Sequence, residues 1–532
     1  MQNISYQLLK KRLAALTTLP ETSLLQNNLI GIEKESLRVN TTGGIAQTPH
    51  PKSLGAALTH PYITTDYSEA MSEFITPPFA KINEALEFLQ NTQKFVYKNL
   101  DNEILWATSM PCVVAGESSI PLAKYGHSNA GTMKTTYRRG LGHRYGRVMQ
   151  VISGVHFNLS IAEDFWPVLQ EIEQQESQKK LALQDFINQR YFDLIRNSQR
   201  MGWLIPYLFG ASPAVCKSFV HGGSTTLQEF DKSTYYEPYA TSLRMGDIGY
   251  QNNKENETGI KACYASVDSY IKSLSCAIST PYEGYEKFGF FKDGKYQQLN
   301  NHILQIENEY YSTIRPKQIL IGNEKPTIAL RKRGVKYVEL RSLDVNAYDP
   351  LGINESQLYF LEAFLLFCLL QESPLIDASE RKEIDHNEML TAHRGRMPGV
   401  KLLRSGKNHV LKDWAMEIMQ EMGSVCDLLD ADNPEKPYRE SLKKQTAKVN
   451  NPELTPSARM LDDMRQDHES FYHFAERMSK KHFHYYKNLY LNTEQEKFYR
   501  NETKLSIEKQ QAMETSDQLS FEEYLSNYFA QE

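Results

Sequence analysis

Two glutamates lie two positions apart in the stretch GIEKESLRVN, which is typical of a β-strand. Successive side chains of a strand point to opposite faces, so Glu33 and Glu35 share one face with Leu37 and Val39. An unpaired carboxylate is costly to bury. Either a cation meets these two acids, or that face of the strand is not buried.

Two further stretches place polar groups on predicted strand faces. In TTDYSEAMSEFITPP, Glu73 shares a face with Ile75, and Asp66 lies seven residues before Glu73 in a predicted turn. In VISGVHFNLS, His156 shares its face with Asn158, while apolar side chains take the other face. Carboxylates and an imidazole therefore recur on strands that are otherwise apolar.

The second half of the chain repeats this pattern twice. In GVKYVELRSLDVN, Glu339 and Arg341 share one predicted strand face. In LQIENEYYSTIRPK, a strand would bring Glu307, Glu309 and Tyr311 into one phase. These segments add one guanidinium to the set of acids.

The residue types fit chemistry on phosphate. Several carboxylates and one imidazole could hold two or three divalent cations, because Mg²⁺ prefers oxygen ligands. An arginine on the same face could stabilise charge on a transferring phosphoryl group. The chain has no G-x-x-x-x-G-K-[ST] phosphate-binding loop. Simpler alternatives stay open: a solvated face or salt bridge for any one glutamate, a core position for His156, and an internal ion pair between Glu339 and Arg341.

The elements that would position these residues do not alternate along the chain. Strand-like segments fall at 30–39, 72–77, 151–160, 303–311 and 335–345, and helix-like segments at 1–30, 80–101 and 164–200. Because βαβ units require alternation, this order favours an α+β fold with an antiparallel sheet. The apolar run FLEAFLLFCLL predicts a buried helix, and the chain becomes more helical beyond about residue 375.

Composition narrows the class of protein. The chain has 532 residues, of which 40% are hydrophobic and 23% charged, and its net charge is −5. A general nucleic-acid binder would be basic, and the longest apolar run is too short to span a membrane. We therefore expect neither nucleic acid nor membrane as a partner.

The N-terminus lacks the apolar core of a signal peptide, and the six scattered cysteines form no CxxC pair. We therefore expect the protein to be located in the cytoplasm.

The longest motifs identify a resemblance. The stretches GIEKESLRVN and ALTHPYITTDYSEAMSEFITP are followed by LWATSMPC, YGHSNAGTMKTTYRRGL, RYGRVMQVISGVHFNLS, GWLIPYLFGASPAVC, YATSLRMGDIGY, LQIENEYYSTIRPK and YVELRSLDVNAYDP. In these stretches the sequence resembles the glutamate–cysteine ligases of the gamma-proteobacterial type. The likeness runs nearly continuously from about residue 25 to about residue 370 and returns at NPELTPSARML.

The resemblance implies a glutamine-synthetase-like fold, with a bent antiparallel sheet forming a bowl-shaped active site surrounded by helices. The implied reaction joins the gamma-carboxylate of L-glutamate to the amine of L-cysteine through a gamma-glutamyl phosphate. It uses ATP with Mg²⁺ or Mn²⁺, and it is the first step of glutathione synthesis. The family is commonly inhibited by glutathione, and we expect a monomer.

The resemblance also suggests how the chain is divided. Residues 1–375 would form the catalytic core, and residues 376–532 a mainly helical part packed on that core. We expect no ATP-grasp domain, so the chain would catalyse the first step only. The region 375–420 differs from the family pattern. Relatives offer a pairing partner to a cysteine like Cys112, and because none is evident here we expect no disulfide.

Carried over residue by residue, the resemblance implies a metal-binding set, two catalytic residues and a set that lines the amino-acid pockets. The metal-binding residues would be Glu33, Glu35, Asp66, Glu73, His156 and Glu339. The catalytic residues would be Arg341 and Glu339, and substrates would also contact Tyr137, Arg244, Tyr250, Tyr311 and Arg341. Three competing hypotheses are a ligase for another amine, a metal-dependent phosphohydrolase, and a non-catalytic relative that binds metal or nucleotide.

Overall fold

A seven-stranded antiparallel sheet forms the centre of this computed structural model, which describes residues 6–18, 22–174, 180–220, 225–249 and 261–531. The order across the sheet is β11-β12-β5-β1-β3-β2, and β4 pairs with the end of β1. Its strands are β1 (Leu29–Asn40), β2 (Ile63–Thr65), β3 (Met71–Ile75), β4 (Glu103–Leu105), β5 (Gly154–Ser160), β11 (Ile314–Lys317) and β12 (Tyr337–Asp344).

Three small sheets lie outside this central sheet. One has the order β6-β8-β7, and the other two are the pairs β9–β10 and β13–β14. Their strands are β6 (Ala214–Cys216), β7 (Gln228–Glu229), β8 (Thr234–Tyr236), β9 (Phe291–Lys292), β10 (Lys295–Tyr296), β13 (Lys401–Arg404) and β14 (Lys407–Val410).

Seventeen α-helices occupy much of the rest of the described chain. The helices up to residue 333 are α1 (Gln7–Thr17), α2 (Ile82–Asn99), α3 (Asn129–Tyr145), α4 (Phe165–Gln174), α5 (Leu183–Arg200), α6 (Leu204–Phe209), α7 (Lys217–Val220), α8 (Val267–Ser279) and α9 (Pro326–Arg333). The later helices are α10 (Glu355–Leu370), α11 (Ala378–Arg394), α12 (Leu411–Leu429), α13 (Pro437–Asn450), α14 (Pro456–Gln466), α15 (Phe471–Lys487), α16 (Thr493–Ser516) and α17 (Phe521–Phe529). Helices and antiparallel strands together confirm the α+β class.

Strand β1 lies inside the sheet, with β5 along its first half and β3 along its middle. Helices cover the face of β1 that carries Ile32 and Lys34, so Lys34 is buried alongside apolar side chains. Lys34, between the two glutamates, points away from them, and its ammonium group donates to Gln93 of α2 at 2.6 Å. The face of β1 opposite the glutamates is therefore part of the packed interior.

The main hydrophobic core packs helices against the face of the sheet that carries Ile32, Phe157 and Leu340. Helix α10 contains the run FLEAFLLFCLL and is buried nearly all round, as predicted from its continuous apolar sequence. The one acid of this apolar run, Glu362, accepts hydrogen bonds from Asn28 and from the Tyr438 hydroxyl. This core takes residues from both sides of position 375.

Three expectations about individual elements need correction. Residues 303–311 do not form a strand: Glu307–Glu309 is a short 3₁₀ turn, and the strand begins only at Ile314. The acids of this turn face buried polar partners, because Glu309 accepts from the Arg144 guanidinium at 2.9 Å. The predicted helical run 164–200 is two helices, Phe165–Gln174 and Leu183–Arg200, and the helix predicted over 1–30 covers only Gln7–Thr17.

None of the described helices has both the length and the apolar composition that a membrane crossing requires. All six cysteines have free thiols.

Candidate active site

One face of the central sheet collects the predicted acids and the histidine. The strand register places them opposite one another, because residues paired across antiparallel strands point to the same side. Glu33 of β1 lies opposite His156 of β5, and Glu35 lies opposite Glu73 of β3. Across the next pair of strands, Asn158 lies opposite Glu339. Four strands distant in sequence therefore build one polar surface.

The imidazole of His156 lies at the centre of this surface. Its Nδ1 atom is 3.0 Å from Oε2 of Glu33 and 3.5 Å from Oε1 of Glu339. Its Nε2 atom is 3.7 Å from Oε1 of Glu35. Asn158 donates to the other oxygen of Glu33 at 2.9 Å. His156 thus contacts acids from β1 and β12, rather than occupying an apolar core position.

Glu339 and its neighbours form a balanced cluster of charges. Arg341 donates from Nη1 to Glu339 at 2.9 Å, and the Lys317 ammonium lies 3.3 Å from the other Glu339 oxygen. Burial would raise the pKa of Glu339, but Lys317 and Arg341 outweigh it and hold that pKa well below its usual range. Glu339 is therefore a carboxylate, paired on both of its oxygens.

The carboxyl group of Glu73 differs from that of Glu339 in its charged neighbours, which are acids rather than cations. Among the described residues, none forms a hydrogen bond or salt bridge with its carboxylate. Burial raises the pKa of Glu73 well above its usual range, and repulsion from Glu33, Asp66 and Glu35 raises it further. Ligand atoms of Glu33, Glu73 and His156 lie within 4.8 Å of one another. An unpaired carboxylate among other acids is what a hard divalent cation would balance, so this donor set fits Mg²⁺ or Mn²⁺.

Glu35 is positioned by the backbone at the start of β5. The Gly154 amide donates to Oε2 of Glu35 at 2.6 Å, while burial raises the pKa of this glutamate. A Cβ atom at position 154 would collide with the guanidinium of Arg244. Arg244 in turn donates to the Arg341 carbonyl at 2.9 Å and lies 3.7 Å from Asp344. Glycine at 154 therefore lets Arg244 lie close to the sheet face that carries Glu33, Glu35, Glu73, His156 and Glu339. We call this surface the acid face.

These residues open into one cavity of about 450 Å³. The predicted site residues that line it are Glu33, Glu35, Asp66, Glu73, Tyr137, His156, Arg244, Tyr311, Glu339 and Arg341. The remaining predicted residue, Tyr250, lies outside the described residues. Sequence reasoning thus identified residues that the fold brings together.

Helix α3 supplies a wall that strand patterns could not reveal. The α3 residues that line the cavity recur at helical spacing: Ala130, Met133, Lys134, Tyr137, Arg138 and Leu141. Arg138 lies 3.8 Å from Asp66 and donates to its carbonyl. The 3.6-residue period in NAGTMKTTYRRGL was the available signal, since it places Lys134 and Arg138 beside Tyr137.

Four further residues at the cavity, on two other elements, were also missed. Lys317 and Arg315 project from β11, the strand that was predicted several residues too early. Tyr524 and Tyr528 of the C-terminal helix α17 line the rim. That helix is held by Lys325, which donates to the Phe529 carbonyl at 2.7 Å. No local sequence signal connects the last helix to a site whose acids begin at residue 33.

Comparison with known proteins matches this architecture to one family. Residues 13–390 match the family model described as glutamate-cysteine ligase. The chain is 45% identical to a glutamate–cysteine ligase of Alcanivorax borkumensis over 530 residues, covering 98% of this chain and 99% of that protein. A glutamate–cysteine ligase of Pseudomonas paraeruginosa is also 45% identical, over 98% of both chains. The chain belongs to the glutamate–cysteine ligase family.

A solved structure has the same overall fold. It is the glutamate–cysteine ligase of Francisella tularensis in complex with AMP, 35% identical to this chain with a TM-score of 0.88. The match covers 94% of this chain and 97% of that one. A bifunctional glutathione synthetase from Pasteurella multocida shares the fold at 24% identity and a TM-score of 0.71, over 91% of this chain and 55% of that protein.

Proposed function

We propose that this chain joins the gamma-carboxylate of L-glutamate to the amine of L-cysteine with ATP, giving gamma-glutamylcysteine, ADP and phosphate. This is the first step of glutathione biosynthesis. Membership of the glutamate–cysteine ligase family along almost the whole chain supports the reaction. The observation that carries it is the single cavity lined by every described residue of the predicted set.

The acids of the sheet face would hold the metal ions. The proposed ligands are Glu33, Glu35, Asp66, Glu73, His156 and Glu339, and the unpaired carboxylate of Glu73 among other acids supports a cation there. When bound, Mg²⁺ or Mn²⁺ would offset the repulsion between the substrate carboxylate and ATP.

Arg341 is the proposed catalytic cation. Its guanidinium is fixed by Glu339 and faces the same cavity as the acids, so it can stabilise charge on a transferring phosphoryl group. Glu339 holds Arg341 in place and is itself balanced by Lys317. The nucleophile is the carboxylate of the substrate, so no side chain of this protein needs to form a covalent intermediate.

The aromatic and basic residues around the acids would bind the amino acids. Tyr137, Arg244 and Tyr311 line the cavity and are proposed for the amino-acid pockets, together with Tyr250. The bowl shape of a glutamine-synthetase-like sheet, the division at residue 375, a monomeric state, inhibition by glutathione and a cytoplasmic location stay predictions from the sequence and the resemblance.

The first test is ADP release by the purified protein with ATP and Mg²⁺. The four conditions are L-glutamate alone, L-cysteine alone, both, and glutamate with other amines, each followed by mass spectrometry for gamma-glutamylcysteine. ADP formation that needs both amino acids and yields this dipeptide would establish the ligase. ADP released without glutamate would favour a phosphohydrolase, and a better amine than cysteine would change the substrate assignment.

A glutamate-to-glutamine variant links the activity to the acid face. Glu33→Gln should abolish turnover while leaving the thermal unfolding curve close to that of the wild type. A matched control is Glu283→Gln, since Glu283 lies on an exposed 3₁₀ turn and does not line the cavity. Turnover by Glu33→Gln at the wild-type rate would contradict the proposed site.

A further inference from the structure

Arg244 reaches the cavity from a short segment, residues 240–249, which we call the Arg244 loop. Within it, Leu243–Met245 forms a single 3₁₀ turn. On the side of the sheet, the Ser242 hydroxyl donates to Asp344 of β12 at 2.9 Å, and the Arg244 guanidinium lies 3.7 Å from the same carboxylate. One 3₁₀ turn has little stability of its own, so the position of Arg244 depends on what holds the two ends of this loop.

The last turn of helix α11 holds the start of the loop. The amides of Thr241 and Ser242 donate to the Ala392 carbonyl at 2.9 and 3.2 Å. The Thr241 hydroxyl donates to the Thr391 carbonyl at 2.9 Å. The last carbonyl groups of a helix lack acceptor partners within it. Here the Arg244 loop supplies donors to two of them, so the end of α11 and the loop form one hydrogen-bonded unit.

His393 of the same turn lies between two acids that flank Arg244 in the sequence. Its Nδ1 atom is 3.2 Å from Oε1 of Glu237, which follows β8, and its Nε2 atom is 3.0 Å from Oδ1 of Asp247. The imidazole is largely buried, with 13% of its side chain exposed. A Cβ atom at position 246 would lie 2.6 Å from Nε2, so glycine there lets the loop approach the ring. His393 thus joins the two sides of the Arg244 loop.

The protonation state of His393 decides how many of these contacts are hydrogen bonds. An imidazolium donates from both nitrogens, whereas a neutral imidazole donates from one. Burial lowers the pKa of His393, but Glu237 and Asp247 outweigh burial and raise that pKa above the usual 6.5. No other described residue forms a salt bridge with this ring. A neutral ring with its proton on Nδ1 would keep only a weak contact from the Asp247 amide, at 3.4 Å, on the other nitrogen.

We propose that the His393 imidazolium is a positioning residue for Arg244. By pairing with Glu237 and Asp247, it closes the Arg244 loop against α11 and holds the guanidinium in the cavity. His393 lies in the region 375–420, which differs from the family pattern, so the resemblance assigns it no role. The inference rests on the proposed function, because Arg244 is proposed to bind an amino-acid substrate.

The test measures KM for each substrate in His393→Gln, which keeps a hydrogen-bonding side chain and cannot carry the charge. We expect KM to rise roughly tenfold for the amino acid whose KM also rises in Arg244→Ala, the lower end of the range for a lost hydrogen bond to a charged group. KM for ATP should stay unchanged. His386→Gln is the matched control, since His386 is exposed on the same helix and does not line the cavity.

Two further measurements separate positioning from a general structural role. The ratio of the variant KM to the wild-type KM should fall as the pH rises from about 6 to about 9, because the wild-type ring then loses its proton. Ionisation of the substrates cancels in this ratio. In an Arg244→Ala background, His393→Gln should raise KM no further, because it acts through the arginine. Asp247→Asn alters an exposed partner and should raise the same KM, which keeps the test available if His393→Gln does not fold.

Four outcomes would overturn the inference. They are a wild-type KM for both amino acids in Arg244→Ala or His393→Gln, a rise that includes KM for ATP, a KM ratio that is constant with pH, and additive effects in the double variant. Thermal unfolding of each variant reports on its fold. A wild type that forms no gamma-glutamylcysteine would instead reject the proposed function, so the two failures are distinguishable.

Discussion

Replacing Arg341 by alanine tests the centre of the proposed chemistry. Arg341 uses Nη1 for Glu339 at 2.9 Å, its Nε atom is buried without a hydrogen-bond partner, and its guanidinium lines the cavity. The Nη2 amino group, for which no described residue is an acceptor, is therefore left to meet a phosphoryl group. Removing one preorganised donor of this kind costs about 10²- to 10³-fold in kcat, or about 2.7–4 kcal/mol of transition-state stabilisation.

The structure also indicates that the fold should survive this substitution. Breaking a buried ion pair usually leaves one charge uncompensated, which is strongly destabilising. Here Glu339 would keep the Lys317 ammonium at 3.3 Å, so Arg341→Ala should unfold near the wild-type temperature. Arg341→Lys should fall between alanine and wild type, because it keeps the charge and loses the planar fork.

The assay is steady-state ADP release that depends on both amino acids, with kcat and KM for ATP measured separately. Arg331→Ala is the control, since Arg331 is exposed on helix α9 and does not line the cavity. A kcat for Arg341→Ala within about tenfold of the wild type would refute the reasoning, and so would a rise in KM for ATP with kcat unchanged.

Three other perturbations follow from the same geometry. Glu73→Gln removes an unpaired acid from among other acids, so we expect the metal-free protein to become more stable, by about 1.4 kcal/mol for each pKa unit of repulsion relieved. The increase in melting temperature on adding Mg²⁺ should be lost, and a metal-dependent increase equal to that of the wild type would contradict this. Gly154→Ala should drive a Cβ atom into Arg244. We expect it to lower the free energy of unfolding by about 1–3 kcal/mol in denaturant titration and to raise KM for an amino acid. A free energy of unfolding and a KM equal to those of the wild type would show that Arg244 can move aside. Burial, with repulsion from Asp385, raises the pKa of Glu388 to about 8 from 4.5. The native state then keeps a proton that the unfolded state loses, so stability should fall as the pH rises from about 5 to 8; this slope should be smaller in Glu388→Gln, as read from melting temperatures across that range.

The acid face could be predicted from the sequence because the alternation of side chains between the two faces of a strand is a local property. Knowing that residues 33 and 35 share a face needs only the period of a strand, and the same holds for residues 339 and 341. The resemblance then supplied the roles that phase could not. Together they selected residues that the sheet register brings into one cavity, even though β1, β3, β5 and β12 are far apart along the chain.

Other features depend on tertiary packing and left no local signal. Alternating acids at Glu307 and Glu309 favour a strand by pattern, but buried partners such as Arg144 stabilise a 3₁₀ turn instead. Helix α2 covers Lys34 on the other face of β1, a contact that strand phase alone does not predict. The far wall of the cavity combines α3 with the last helix of the chain, a contact that only the folded state creates.

The charges of the acid face are balanced at one end of the surface and unbalanced at the other. At the β12 end, Lys317 and Arg341 hold Glu339 ionised without any added cation. At the β3 end, Glu73 has no described partner, and its pKa is raised by burial and by neighbouring acids. A divalent cation gains most where negative charge is least compensated. We therefore expect metal to bind first beside Glu73, while the β12 end already has the fixed positive charge that a transferring phosphoryl group requires.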